Sequence, residues 1–290
     1  MRIMFRHCLY AVLVCLLWAP AAFSQASRQV IPVSDGSYLP IYCFLPRHPV
    51  GHRLPAVIVG VGVAGTQIPQ YHEHCQLLAD RNFFVVLMDP SNYPESLAPS
   101  PYSWDKGAGY ALGSVNQGVV AAKLAVTHDW YLRTIRATVD FLCCNPMVDP
   151  TRIAMSGHSQ PANAALTYAS SDPRIKAIVW NYGGWPWTMP YDVLKLPPVI
   201  IFHGDQDDVY DVKYAKELAF DLKTNCRPHE VYIYPCQKHM FNVYYDMRKE
   251  NRFMKPALLD AFERLVCFLN RALHVPPPVP MAAAPKRRPR

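Results

Sequence analysis

Short apolar runs alternate with segments of helical periodicity along most of this chain. The runs at residues 56–62, 83–88, 175–180 and 199–203 are apolar at nearly every position. Continuous apolar runs of this length are typical of strands that are buried on both faces of a sheet. Strands that alternate with helices favour a mostly parallel sheet with helices on both faces, so we predict an α/β fold.

The remaining elements follow from weaker patterns. Two strand-like runs flank Ser34-Asp35-Gly36-Ser37, which is typical of a hairpin turn. The other predicted elements are strands at 29–33, 39–45 and 231–234 and helices at 70–81, 130–145, 212–222 and 256–273. Residues 91–128, rich in proline and aromatic side chains, break the pattern, and we interpret them as a functional loop or as short helices.

The chemistry is concentrated where the strand ending near residue 157 meets an alanine-rich segment with high helix propensity. A tight turn between a strand and a helix exposes one side chain and directs the first helical N–H groups toward a ligand. Ser159 occupies that position. Four of the five positions of the G-x-S-x-G nucleophile elbow match, and Pro161 stands at the fifth. A cap of the following helix is the alternative role for Ser159.

A nucleophilic serine needs an adjacent base that is itself oriented by an acid. Asp207 follows one predicted strand, with Asp205 and Asp208 as competing carboxylates, and His239 follows the next. Both therefore stand at the carboxyl ends of strands, where open α/β sheets bind their ligands. The sequence predicts a catalytic triad in the chain order Ser159, Asp207, His239.

From about residue 55 to residue 273 the chain resembles the dienelactone hydrolase-like branch of the α/β-hydrolase superfamily. Three segments carry the resemblance: Val148-Asp149-Pro150-Thr151-Arg152-Ile153 before Gly157-His158-Ser159, His203-Gly204-Asp205-Gln206-Asp207, and Tyr234-Pro235 through His239 and Phe241. It implies an α/β-hydrolase fold in which Ser159 is the nucleophile, His239 the base and Asp207 the orienting acid. Residues 181–198, between two central strands, leave no room for a large lid domain.

An oxyanion hole requires two N–H groups directed at the developing alkoxide. We assign one to Gln160, which follows the nucleophile, and the other to Val63, with Gly62 as the close alternative. The family often has a His-Gly pair where this chain has Val61-Gly62. Pro161 is the second departure; proline is tolerated in a first helical turn because its missing N–H has no intrahelical partner. It also disfavours the helical conformation at Gln160.

Three tryptophans, Trp104, Trp185 and Trp187, lie in irregular segments and are expected either to line the substrate cleft or to belong to the core. The histidines and cysteine at positions 72–75 could suggest a metal site. Residues two apart on a helix do not share a face, however. We therefore expect no metal site there, and acyl transfer through a serine triad needs neither a metal nor an organic cofactor.

The N-terminus has basic residues, an apolar run at 8–18 and small residues up to Ser24 or Ala26. This order is typical of a secretory signal peptide. We expect a signal peptide at 1–26, a hydrolase domain at 27–274 and a disordered, basic, Pro/Ala-rich tail at 275–290, in a secreted or periplasmic protein. Of the nine cysteines, Cys8 and Cys15 lie in the signal. The odd number that remains leaves at least one thiol unpaired even in an oxidising compartment.

The formal net charge is +7, but the tail Lys286-Arg287-Arg288-Pro289-Arg290 supplies four of those charges. The remaining charge is too small to favour a nucleic-acid partner. No segment after the signal approaches the length of a membrane helix. The partner we expect is a small-molecule or polymeric ester substrate, and the oligomeric state is left open.

The leading hypothesis is a secreted or periplasmic serine hydrolase that cleaves carboxylic esters through an acyl-enzyme. Peptidase, thioesterase or acyltransferase activity is the alternative within enzymes, because the same triad serves every acyl transfer. A non-catalytic binding protein on a hydrolase fold is the alternative from another class, motivated by Pro161 and Val61.

Overall fold

The computed structural model describes residues 26–62, 66, 68–89, 117–184, 190–243 and 254–274, without the side chains of 117–127 and 254–255. Within these ranges the strands are β1 Ser27–Pro32, β2 Tyr38–Phe44, β3 Leu54–Gly60, β4 Phe84–Met88, β5 Val148–His158, β6 Ile175–Asn181, β7 Val199–Gly204 and β8 His229–Tyr234. The helices are α1 Pro69–Ala79, α2 Gln117–Cys144, α3 Gln160–Ser171, α4 Lys213–Thr224 and α5 Met254–Ala272.

The described strands form one sheet in the order β1-β2-β4-β3-β5-β6-β7-β8. Strand β2 pairs antiparallel with both β1 and β4, and every pairing from β4 through β8 is parallel. The predicted mostly parallel sheet is therefore confirmed. Its order places β5 near the middle of the sheet, with β7 and β8 on the same side of it as β6.

Helices cover both faces of the sheet, as the apolar runs predicted. Along β3, Ala56 and Ile58 pack into the core that contains α2, α3 and α4. Val57 and Val59 pack into the core that contains α1 and α5. Successive side chains of a strand point to opposite faces, so a run that is apolar at every position serves two cores at once.

One predicted boundary was wrong. The helix expected at 130–145 spans Gln117–Cys144, so the end of the segment interpreted as a functional loop or as short helices belongs to this longer helix. Val119, Val120 and Val126 lie in this first part of α2. Valine has a lower helix propensity than unbranched side chains because its χ1 is restricted against the preceding turn. These valines weakened the helical signal in the sequence.

Several sequence predictions fall outside the described residues. These are the signal peptide and the tail beyond residue 274, together with Val63, Trp104, Trp185 and Trp187. The domain boundaries at 26 and 274 accordingly stay predictions. None of the described helices is long and apolar enough to cross a membrane. The seven cysteines in the described part of the chain are free thiols.

Candidate active site

Ser159 lies in the sharp turn between β5 and α3. Its backbone has φ 66° and ψ −130°, and its N–H donates to the Asn181 carbonyl at 3.0 Å. A left-handed φ is unfavourable for a residue with a Cβ, and strain of about 1–3 kcal/mol is common where a site needs a particular geometry. A Cβ at Gly157 would lie 2.5 Å from the Ala162 Cα, so this position accepts only glycine. The Ser159 side chain forms no capping hydrogen bond to α3, in contrast to the alternative role considered for it.

Pro161 lies in the first turn of α3, where its missing N–H costs no hydrogen bond. The room for its ring comes from the neighbouring strand. A Cβ at Gly60 would lie 3.1 Å from the Pro161 Cβ, so the small residue that the close approach requires is on β3. The departure from the elbow pattern is thus matched by a glycine elsewhere in the fold.

The loop after β3 approaches the nucleophile directly. A Cβ at Gly62 would lie 3.2 Å from the Ser159 Cβ and 3.4 Å from its Oγ. Gln160, the other predicted oxyanion donor, is the first residue of α3, and its N–H is therefore one of the helical N–H groups without an intrahelical acceptor. Gly62 and Gln160, the described residues of the two segments that we expect to bind the oxyanion, thus both lie next to Ser159.

The three predicted triad side chains form a continuous hydrogen-bonded chain. His239 Nε2 lies 3.1 Å from Ser159 Oγ, and His239 Nδ1 lies 2.8 Å from Asp207 Oδ2. The Asp207 side chain is fully buried and that of His239 is 11% exposed. A carboxylate accepts the Nδ1 proton, which leaves Nε2 as the acceptor that faces the serine hydroxyl.

The structure also separates Asp207 from the two competing carboxylates. Asp207 Oδ1 accepts hydrogen bonds from the N–H groups of Val209 and Tyr210, both at 2.8 Å, which orients Oδ2 toward the histidine. The Asp205 carboxylate instead accepts the Cys236 N–H at 2.6 Å. Asp208 is exposed and pairs with Lys238 at 3.3 Å. The aspartate bonded to His239 is thus Asp207.

The loop after β7 that carries Asp207 is called the acid loop. It is supported by His203, which sequence analysis did not single out as a site residue. Its Nε2 lies 2.9 Å from the Tyr210 carbonyl and 3.4 Å from Asp207 Oδ2. Burial lowers the pKa of His203, so the neutral ring carries its proton on Nε2 and donates to that carbonyl. A histidine inside an apolar strand, one residue before Gly204, was the signal that could have identified it.

The loops that follow β7 and β8 pack backbone against backbone. A Cβ at Gly204 would overlap the Gln237 carbonyl. The Gln206 N–H donates to that carbonyl, and the Asp205 N–H donates to the Tyr234 carbonyl, both at 3.0 Å. Gly204 thereby allows the loop that carries the acid to contact the loop that carries the histidine.

The residues at positions 72–75 do not converge. His72 Nε2 lies 3.1 Å from the Thr66 carbonyl, whereas the His74 ring is buried against His158 and Phe262. Burial lowers the pKa of His74 to about 4. In the part of the chain that the structure describes, no group of three His, Cys, Asp or Glu side chains is arranged to hold a metal ion.

The chain is similar to proteins of known family and fold. The model of the dienelactone hydrolase family matches residues 39–273. Among curated proteins, an uncharacterized protein of Pseudomonas aeruginosa is 27% identical over 136 residues, which are 47% of this chain and 31% of that protein. The match to this relative thus spans about a third of its length.

Three solved structures illustrate the likeness of fold. A Klebsiella pneumoniae protein provisionally named a dienelactone hydrolase is 19% identical, with a TM-score of 0.58 over 85% of this chain and 98% of that one. Thermogutta terrifontis esterase 2, phosphorylated by paraoxon, is 18% identical, with a TM-score of 0.59 over 84% and 94%. A puromycin-hydrolyzing peptidase of Mycobacterium tuberculosis is 14% identical, with a TM-score of 0.62 over 87% and 41%. The predicted α/β-hydrolase fold is confirmed.

Proposed function

The chain belongs to the dienelactone hydrolase family, and on that premise we propose that it is a serine hydrolase that cleaves carboxylic esters through Ser159. The observation that carries the proposal is the pair of hydrogen bonds at His239, 3.1 Å to Ser159 Oγ and 2.8 Å to Asp207 Oδ2. A serine hydroxyl held against the free nitrogen of an acid-bound histidine is the arrangement that nucleophilic acyl transfer requires.

The proposed reaction begins when Ser159 Oγ attacks the ester carbonyl while His239 Nε2 takes the hydroxyl proton. Asp207 keeps the imidazole oriented and stabilises the imidazolium that forms. His239 then returns the proton to the alkoxide leaving group, and an acyl-enzyme on Ser159 remains. A water molecule, activated by His239, attacks the acyl carbon, releases the acid and restores the serine.

The tetrahedral oxyanion is bound in this scheme by the N–H of Gln160 and by an N–H of the loop after β3, assigned to Val63. Support comes from the start of α3 at Gln160 and from the close approach of Gly62 to Ser159. Loss of one such donor typically lowers kcat by about 10²–10³-fold.

We propose ester rather than amide hydrolysis because the chain matches a larger part of the esterase than of the peptidase. The match to the Thermogutta esterase covers 94% of that chain, whereas the match to the Mycobacterium peptidase covers 41%. Peptide hydrolysis is the second candidate, favoured by that peptidase likeness. A panel of aryl esters and peptide anilides separates the two. We also propose, from residues 1–26, that the enzyme acts outside the cytoplasm.

The test of the proposed function is Ser159→Ala. We expect ester turnover to fall by about 10⁴-fold or more, because the nucleophile is lost, while circular dichroism stays that of the wild type. A fluorophosphonate probe is expected to label the wild type at Ser159 and to leave the variant unlabelled. Ser170→Ala, at the far end of the same helix, is the matched control and keeps full turnover. Ester turnover retained by Ser159→Ala would refute the assignment.

A further inference from the structure

Beneath the imidazole of His239 lies a fully buried aromatic ring, that of Tyr182. The centroids of the two rings are 4.6 Å apart and their planes meet at 66°, an edge-on contact. Tyr182 directly follows β6, has φ 39°, and donates its N–H to the Phe202 carbonyl at 2.8 Å. A strained backbone that the surrounding structure holds in place is common at functional sites.

The Tyr182 hydroxyl is fixed on both sides. It lies 2.8 Å from His158 Nδ1, and a second hydrogen bond joins it to the Tyr71 hydroxyl. Burial raises the pKa of Tyr182 and lowers that of His158 well below its usual value, so both groups are neutral. A neutral phenol with two such partners has little freedom to rotate or shift.

The partners of His158 determine which of its nitrogens carries the proton. Asn242 Nδ2 donates to Asn181 Oδ1 at 2.7 Å, and Asn181 Nδ2 donates to Ser156 Oγ at 3.2 Å. The Ser156 hydroxyl is then left to donate to His158 Nε2, 3.2 Å away. A neutral histidine that accepts at Nε2 carries its proton on Nδ1, where it donates to the tyrosine.

These hydrogen bonds run in one direction from the loop that carries His239 to helix α1. Asn242 is three residues after His239, and Tyr182 contacts the His239 ring. Buried polar groups of this kind are costly when unpaired, so these hydrogen bonds favour one arrangement of the side chains, in which Asn242 Oδ1 is the buried atom that lacks a partner among them. This series of hydrogen bonds therefore links the loop that carries His239 to Tyr182, the residue whose ring contacts the His239 imidazole.

We infer that Tyr182 is a positioning residue, which holds the His239 imidazole in line between Asp207 and Ser159 and is itself held by His158. The inference rests on the proposed function and extends it. One hydrogen bond to Asp207 fixes the distance of Nδ1 but permits the ring to tilt about that bond. Two aromatic rings lie edge-on to the imidazole, Tyr182 at 4.6 Å and Tyr210 farther away at 5.7 Å between centroids. Contact with a locked aromatic ring restricts the tilt and keeps Nε2 directed at the serine oxygen.

The first experiment compares Tyr182→Leu, which removes the ring, with Tyr182→Phe, which removes only the hydroxyl. For an aryl ester we expect kcat to fall by about 10–100-fold in Tyr182→Leu and only a few-fold in Tyr182→Phe, with KM changed by less than about twofold. Tyr168→Phe is the matched control. Its hydroxyl, bonded to Asp172 at 2.6 Å, is removed from a mostly buried ring on α3, and kcat is expected to stay at the wild-type value. Wild-type kcat in Tyr182→Leu would overturn the inference.

A double-variant comparison tests whether Tyr182 acts through the histidine. In a His239→Ala background the residual turnover is expected to change by less than about twofold on adding Tyr182→Leu, because the group that Tyr182 positions is already missing. If the second substitution lowers turnover as much as it does in the wild type, Tyr182 acts by another route and the inference fails.

A spectroscopic measurement keeps this test independent of ester turnover. The proton on His239 Nδ1 is expected to give a downfield NMR signal in the resting protein, identified by its loss in His239→Ala. We expect this signal to shift or broaden in Tyr182→Leu and to persist in Tyr168→Phe. An unchanged signal in folded Tyr182→Leu would overturn the inference. Failure of the wild type to turn over esters or to react with the fluorophosphonate would instead refute the proposed function.

Discussion

Asp207 and His239 are hydrogen-bonded neighbours, yet the protein holds them by different means. Asp207 is held by the backbone: two N–H groups bind one carboxylate oxygen, and Gly204 lets the acid loop contact the histidine loop. His239 lies against the Tyr182 ring, which buried side chains hold in turn. Backbone contacts persist when most neighbouring side chains change. A support made of side chains depends on each member and on its protonation state.

The largest effect is expected from Asp207→Asn, which keeps the shape of the acid but removes its charge. An asparagine can donate to His239 Nδ1 and so favours the tautomer with its proton on Nε2, where it cannot accept from Ser159. We expect kcat/KM for an aryl ester to fall by about 10⁴-fold. Asp208→Asn, which removes an exposed carboxylate of the same loop, is the control and should change it by less than about twofold. A small effect in Asp207→Asn would show that another group orients the histidine.

A smaller effect is expected when the backbone support is disturbed at Gly204→Ala. The added methyl group overlaps the Gln237 carbonyl and separates the two loops, so kcat should fall by about 10²-fold and the thermal midpoint should drop. Gly36→Ala is the matched control. Its φ of 85° makes alanine unfavourable, but an added Cβ meets no atom within 4 Å. The control should lose about 1–2 kcal/mol of stability and keep its kcat. Equal activity in the two variants would contradict this account.

The smallest effect concerns the side-chain support and is a change of stability with pH. Burial lowers the pKa of His74, whose ring contacts His158, to about 4. The unfolded chain protonates this histidine near pH 6.5 and the native protein only near pH 4, so the unfolded state binds more protons between them. The free energy of unfolding should therefore be greatest above pH 6.5 and decrease as the pH falls toward 4. His74 contributes up to about 3 kcal/mol to this decrease.

Urea unfolding of His74→Phe at several pH values checks this. The variant is expected to lose part of the decrease in stability between pH 6.5 and pH 4, since one buried imidazole no longer has to remain neutral. Near pH 8 the histidine is neutral in both states, so the difference in free energy of unfolding between variant and wild type measures the change in packing alone and serves as the baseline. An identical pH dependence in the two proteins would show that His74 is not buried in neutral form.

Much of the fold could be predicted because the apolar runs report burial directly. β4 Phe84–Met88 is buried at every position, and a strand buried on both faces has a continuous apolar sequence that can be recognised without knowing its neighbours. The start of α2 was not predictable in this way. Its valines have weak helix propensity, and tertiary packing, which a local pattern does not contain, can override propensity.

The candidate site divides in the same way. Ser159 and His239 were predicted from chain order and from their positions after strands. Among the three aspartates that follow β7, Asp207 was the prediction, with Asp205 and Asp208 as competitors, and the resemblance to the family pointed to Asp207 as well. The positions of Tyr182 and His203 carried only weak signals, because a tyrosine or histidine at a strand end is more often part of the core.

The amino-acid pattern alone predicts the alternation of strands and helices, the order of the three candidate triad residues and the position of each after its strand. These are local properties, fixed by side-chain polarity and by the direction of the chain. Tertiary packing sets three contacts that this pattern does not contain: Gly60 lies against Pro161, Asp207 Oδ2 faces His239, and the Tyr182 ring lies against the imidazole. Each of these contacts joins residues far apart along the chain, and packing distances of a few ångströms have no counterpart in a one-dimensional pattern.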